Sequence, residues 1–172
     1  MDNNNYNFSS WLLSQRHHQW LAQEGMRLLA FAKTSKLENG FGSLDDYGRL
    51  MVGATAQTMN TARMTHSFAM AHAQGIPGCA ALVDHGIAAL SGPLRDAEHG
   101  GWFSAALEEG GKTDKQAYLH AFVALAASSA VVAGREGAQA LLSDAIQIIK
   151  TRFWSEEEGA MRESFARDWQ GE

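Results

Sequence analysis

Apolar residues recur at spacings of three and four along most of the chain, and strict alternation is scarce. That is the pattern of amphipathic helices rather than strands. Five helical segments are expected. The first covers residues 10–33, where Trp11, Leu12, Leu21, Leu28, Leu29 and Ala32 recur at helical spacing and Ser9 or Ser10 can cap the start. Glu38-Asn39-Gly40-Phe41-Gly42 reads as a loop. The second helix is expected over residues 48–74, ending at Gly75. The third begins at Pro77, a residue suited to a first helical turn. It directs Leu82, Val83, Ile87 and Leu90 inward and ends near Gly92-Pro93. Residues 95–114 break the pattern. There Gly100-Gly101-Trp102-Phe103-Ser104 and Lys112-Thr113 flank Glu108-Glu109-Gly110-Gly111, which reads as a short β-hairpin or ribbon loop. The fourth helix is expected over 115–133, stopping at Gly134. The fifth, over 136–153, buries Leu141, Leu142, Ile146 and Ile149.

The fourth segment is apolar on nearly all sides. Tyr118, Phe122, Leu125 and Val132 lie on one side, and Leu119, Val123, Ala126 and Ala130 on another. A helix of that kind is enclosed by partners on several faces, and five helices supply few partners. A weak internal repeat adds to this. An acidic-Gly loop follows the third helix at residues 96–102 and another follows the fifth at 154–161. Each unit is a helical hairpin followed by a small strand-like loop, which must stack on neighbours to bury its apolar faces.

Composition narrows the class. At roughly 100–200 residues per domain, 172 residues make one domain or an incomplete part of a larger one. A hydrophobic share of 45% with 19% charged residues is a globular balance, not a disordered one. The net charge of -5 lacks the basic footprint of a nucleic-acid binder. Cys79 is the lone cysteine, so no intrachain disulfide can form. Met1-Asp2-Asn3-Asn4-Asn5 carries no signal-peptide pattern, which assigns the cytoplasm by default. Residues 121–133 are the most apolar stretch and are too short to span a bilayer, which needs about 20 residues. Residues 165–172 carry two aromatics and stop at a turn-like glycine, as if interrupted.

Candidate chemistry centres on Arg63 and Tyr118. On the second helix Arg63 is expected to share a stripe with Val52, Ala56, Met59 and Met70. A guanidinium there is either a structural ion pair or snorkelling side chain, or a clamp whose planar fork suits sugar hydroxyls or carboxylates. Tyr118 begins the fourth helix beside Lys115. It is either a core residue or one that points its hydroxyl into a mouth while its ring packs below. His120 faces elsewhere on the same helix. His17, His18, His66, His72, His85, His99 and His120 show no one-face pair of the helical zinc type. Asp84 and His85 can pair locally, and Cys79 reads as a small packing residue. Nucleophile-elbow, P-loop and dinucleotide motifs are absent. No catalytic residue, metal ligand or cofactor is assigned.

Thr61-Ala62-Arg63-Met64, Leu82-Val83-Asp84-His85-Gly86-Ile87, Leu94-Arg95-Asp96 followed by Gly100-Gly101-Trp102, Lys115-Gln116-Ala117-Tyr118, and Phe153-Trp154-Ser155-Glu156-Glu157-Glu158 occur in one order. Together, from about Trp11 to Trp169, they resemble the N-acylglucosamine 2-epimerase superfamily, nearest its mannose isomerase and sulfoquinovose isomerase branch. The resemblance implies an all-α (α/α)6 barrel of alternating inner and outer helices, in chains much longer than this one. Residues 1–172 would then be one incomplete barrel domain, the N-terminal part with the first five helices, the second and fourth on the inner ring. It implies a monosaccharide substrate, with Arg63 contacting the sugar and Tyr118 at the substrate pocket. Family isomerases move a proton between C1 and C2 of the open-chain sugar through a cis-enediol, using two histidines as acid and base. No position here matches those histidines, so the chain alone is expected to be inactive. The family's sugar 2-epimerases use similar proton chemistry. Where the family often has an aromatic four residues before the arginine, Met59 stands. Two readings besides an isomerase or 2-epimerase remain. One is a non-catalytic sugar-binding or self-associating helical module whose open barrel edge a second copy covers. The other is an unrelated helical scaffold for protein binding.

Overall fold

The computed structural model describes residues 10–105 and 113–170. Five α-helices dominate: α1 (Gln15–Lys33), α2 (Thr58–Ala73), α3 (Cys79–Ser91), α4 (Ala117–Val132) and α5 (Ala138–Ile148). Three small antiparallel pairings join the turns: β1 (Lys36–Leu37) with β2 (Gly40–Phe41), β3 (Lys115–Gln116) with β6 (Ser164–Phe165), and β4 (Trp154–Ser155) with β5 (Ala160–Met161). No helix among the described residues is long and apolar enough to cross a membrane.

The helix ends follow local chemistry. The Ser10 hydroxyl caps only a 3-10 turn, Trp11–Leu13. The Ser14 hydroxyl caps α1 by accepting from the His17 N–H. The second helix starts ten residues later than its apolar spacing predicts. Gly48 and Gly53 take positive φ, and the Asp45 carboxylate accepts from the Tyr47 and Arg49 N–H groups in a tight turn. Val52 and Ala56 therefore lie before α2. The third helix begins after Gly78, whose φ is 78°, rather than at Pro77. Beyond Ile148 the fifth helix continues as a π turn, Ile149–Phe153.

Short links make α2 and α3, and likewise α4 and α5, antiparallel hairpins. Arg63 meets Tyr118 and Phe122, while His66, farther along α2, meets Ser129, farther along α4. The two helices thus run parallel and form an inner layer. The core between layers contains Phe41, Phe68, Val83, Leu90, Trp102, Val123 and Leu141. One side of α4, with Leu119, Val123, Ala126 and Ala130, is buried. The other side is open: Leu125 and Val132 are exposed, and so is Tyr118. Ile146, expected inside, is exposed too. The expected inward set of α1 is also only partly inside. Leu29 and Ala32 pack against the core, but Trp11, Leu12, Leu21 and Leu28 are exposed, and none of the described α1 residues is fully buried.

The repeat is real and regular. Gln57, just before α2, bridges to Ala105, and Gln116, just before α4, pairs with Ser164. Both members of the second pairing stand 59 residues after those of the first. The ribbon after α3 is seen at the Arg95–Trp102 bridge. The acidic centre of the expected hairpin, 108–111, falls outside the described residues.

Gly86 on α3 faces Thr65 on α2. A Cβ there would overlap the Thr65 hydroxyl oxygen, a buried group that itself donates to the Thr61 carbonyl. Gly86→Ala is expected to destabilise the chain by about 1–3 kcal/mol in urea melts, through overpacking. Adding Thr65→Ala should recover part of that loss.

Candidate substrate-binding site

Arg63 and Tyr118 come from different helices, 55 residues apart in sequence, and meet on the open side of the inner layer. The Arg63 Nη2 donates to the Tyr118 hydroxyl at 3.3 Å. The guanidinium carbon lies over the Phe122 ring, 4.6 Å from its centroid. The Tyr118 and Phe122 rings meet edge to face at 5.0 Å. Residues 118 and 122 share a helix face by their i, i+4 spacing.

The environment of Arg63 differs from the expected apolar stripe. Val52 and Ala56 precede the helix, Met70 is exposed, and Arg63 itself is exposed. Among the described residues no carboxylate lies within ion-pair reach of it, so its charge and most of its donors face the open side. Tyr118 is 59% exposed. Its oxygen accepts from Arg63, which leaves its own hydrogen to donate outward. The cluster therefore presents donors, suited to carbonyl and hydroxyl oxygens. One turn along α2, His66 Nδ1 lies 2.6 Å from the Ser129 hydroxyl, which donates to the Leu125 carbonyl. Around that pair the face is apolar, with Met70, Leu125 and Val132 exposed. The polar end of this face is the N-terminal end of both helices.

Tyr118 is placed by what lies beneath β3. Lys115 and Asp96 are buried as a pair, with Nζ to Oδ2 at 2.8 Å. Asp96 also accepts from Arg167 (2.9 and 3.2 Å) and from the Glu98 and His99 N–H groups. Burial alone would raise the Asp96 pKa. The hydrogen bonds from Arg167, Lys115 and the two backbone amides overcome that and hold its carboxyl well below the usual range. Burial lowers the Lys115 pKa, with Asp96 opposing. The Phe103 and Trp169 rings flank the ammonium at 4.5 and 5.7 Å.

His120 belongs to this joint, not to the open face. Its Nε2 accepts from the Trp102 N–H (3.1 Å), so its Nδ1 carries the proton and donates to the Gln116 carbonyl (2.7 Å). Burial pushes its pKa down to about 4. His85 reaches the Gly40 carbonyl at 3.1 Å instead of pairing with Asp84. Asp84 holds Arg135 through two hydrogen bonds of 2.8 and 2.6 Å. Cys79 is buried and free. An apolar groove lined by Trp11, Ser14, Arg16, His17 and Trp20 opens at α1, a different element.

Parallel inner helices, each followed by a returning outer helix and a ribbon, define part of an α/α barrel. The chain belongs to the N-acylglucosamine 2-epimerase family, whose model matches residues 40–172. A D-mannose isomerase of Pseudomonas cannabina pv. alisalensis is 83% identical over 172 residues, covering 100% of this chain and 42% of that protein. A D-mannose isomerase of Thermobifida fusca is 49% identical over 162 residues, covering 92% of this chain and 40% of that protein. Among solved structures, a D-mannose isomerase superposes with a TM-score of 0.78 at 24% identity, covering 88% of this chain and 41% of that one. A cellobiose 2-epimerase from Bacillus thermoamylovorans B4167 superposes with a TM-score of 0.74 at 21% identity, covering 90% and 43%. The chain therefore spans about two fifths of the length of these relatives, and its fold is the N-terminal portion of an (α/α)6 barrel.

The neutral state of His120 has a pH signature. Its ordinary pKa of 6.5 applies to the unfolded chain and about 4 to the folded one. The unfolded state therefore takes up the proton first as pH falls. Stability is expected to decline between pH 6.5 and about 4, by about 3 kcal/mol in all. Loss from the depressed Asp96 carboxyl follows only in more acid solution. Denaturant melts across this range check the slope, and His120→Gln should flatten it.

Proposed function

We propose that this chain is the substrate-binding N-terminal part of a cytoplasmic sugar isomerase acting on mannose. Arg63 and Tyr118 supply hydrogen-bond donors to the open-chain sugar. The observation that carries this reading is the Arg63–Tyr118 contact across α2 and α4, on a surface with no competing carboxylate among the described residues. The 83% identity to a D-mannose isomerase favours mannose over sulfoquinovose, and the buried free Cys79 suits a reducing compartment.

Isomerisation through a cis-enediol needs a base and an acid within hydrogen-bond reach of C1 and C2. His85 and His120 are turned to backbone groups elsewhere, and His66 uses Nδ1 on Ser129. The donors on this face can orient and polarise a sugar oxygen without carrying its proton from carbon to carbon. The chain alone therefore binds a monosaccharide without turning it over. A 2-epimerase would use the same wall of the site, and the likeness to cellobiose 2-epimerase supports that alternative at the level of fold.

Calorimetric titration with D-mannose, beside a ketose assay, tests this. Binding without ketose formation is expected, and Arg63→Ala should weaken it by roughly tenfold or more, the effect of losing a charged hydrogen bond. Ketose formation by the 172-residue chain would overturn the incomplete-site reading. Silence of Arg63→Ala would overturn the role of Arg63.

A second reading concerns assembly. Trp20, at 56% exposure, lies with Leu21 and Leu28 on α1, none of them buried. Exposed apolar surface of this kind seeks a partner, and a second copy of the chain supplies one. Light scattering should show a dimer or larger species that dissociates in the Trp20→Ser/Leu28→Ser double variant. A monomer with cooperative melting contradicts self-association.

A further inference from the structure

We infer that Phe122 is a positioning residue of this site, a platform that fixes the plane of the Arg63 guanidinium and seats Tyr118 beside it. The inference rests on the reading of Arg63 as a sugar-binding group. An exposed arginine loses considerable rotamer freedom when a ligand immobilises it, and that loss weakens binding. A carboxylate partner would restrain the side chain, but it would also occupy donors and neutralise the charge. The described residues place an aromatic ring there instead. The guanidinium carbon stands over the Phe122 ring at 4.6 Å. The N–H groups point outward from the guanidinium carbon, so a ring on one side of that carbon restrains the fork and leaves the N–H groups turned away from the ring available. Among the described residues only Nη2 has a hydrogen-bond partner, the Tyr118 hydroxyl.

The same ring holds the second member of the pair. Tyr118 meets Phe122 edge to face at 5.0 Å with an interplanar angle of 71°. Both residues lie on one face of α4, while Arg63 comes from α2. Phe122 thus touches both donors. It is half-buried and packs against the core, so the helix interface fixes its position. Removing the ring leaves Arg63 and Tyr118 joined only by a 3.3 Å hydrogen bond at the surface.

The test compares the wild-type chain with Phe122→Leu, which removes the ring, and Phe122→Tyr, which keeps it. Two readouts separate the claims. The first is the Arg63 Nε–H resonance, which a ring beneath the guanidinium shifts upfield. It should return to the value of a free arginine in Phe122→Leu and stay shifted in Phe122→Tyr. The second is D-mannose affinity, expected to fall about fivefold in Phe122→Leu, the worth of one cation–π contact. Phe122→Tyr should stay within about twofold of wild type. If Phe122→Leu does not melt cooperatively, Phe122→Met serves in its place. An Arg63 resonance unmoved by loss of the ring overturns the inference. So does unchanged affinity in Phe122→Leu where Arg63→Ala abolishes binding. If even the wild-type chain does not bind D-mannose, the mannose reading fails, and the Arg63 resonance still decides whether Phe122 holds the guanidinium.

Discussion

The buried carboxylate of Asp96 joins three parts of the chain that are far apart in sequence. It lies in the ribbon after α3, receives Lys115 from the strand that leads into α4, and receives Arg167 from the segment after β6. With two backbone amides added, its oxygens accept five hydrogen bonds. A carboxylate removed from water is tolerable only when satisfied in this way, and so is the ammonium of a fully buried lysine. Lys115 is three residues before Tyr118, so this joint sets where α4 begins and which way Tyr118 points. The hydroxyl that meets Arg63 therefore depends on a charge cluster that never reaches the open face.

The same joint explains what His120 does. In the first unit the Phe41 N–H donates to the Thr61 hydroxyl at 3.0 Å. In the second the Trp102 N–H donates to His120 Nε2 at 3.1 Å. Thr61 and His120 stand 59 residues apart, the spacing of the repeat. In each unit a positive-φ glycine precedes the aromatic, and a Cβ on it would lie 2.6 Å from the accepting atom. Glycine is needed at both places because the backbone approaches the helix so closely. Threonine and histidine thus do one job, holding a buried aromatic ribbon against the first turn of an inner helix. Being a histidine adds a titratable group at position 120, which burial holds neutral.

Much of this was legible in the amino-acid pattern. The helices, the enclosed side of α4 and the repeat follow from spacing and from glycine placement, and the ordered motifs point to the family. Apolar spacing does not report the late start of α2, because it continues through Val52 and Ala56 although Gly48 and Gly53 turn the backbone. The apolar stripe that the spacing assigns to Arg63 is therefore absent from the folded chain. The Arg63–Tyr118–Phe122 contact and the Asp96 joint were hidden for another reason. Their partners lie 55, 19 and 71 residues apart, and no local periodicity reports on which residues meet across helices. Exposure of the α1 face was hidden as well, since a hydrophobic stripe records that a helix is to be covered, not by what.

The open face of α2 and α4 has a polarity that constrains its chemistry. Its polar end, with Arg63 and Tyr118, coincides with the N-termini of two parallel helices, where unpaired amides and the helix dipole favour negative charge. A cation and two helix N-termini at one mouth attract oxygen atoms that carry, or are gaining, electron density. Farther from that end the face carries the exposed apolar side chains Met70, Leu125 and Val132 around the His66–Ser129 pair. Two helices form one wall, and one wall can fix an oxygen only from one side. Moving a proton between neighbouring carbons requires groups placed against those carbons as well. On this face the histidine nearest Arg63 is already bound to Ser129. On the proposed reading the donors of this wall serve recognition, and the acid and base of the proton transfer are groups that this wall does not carry.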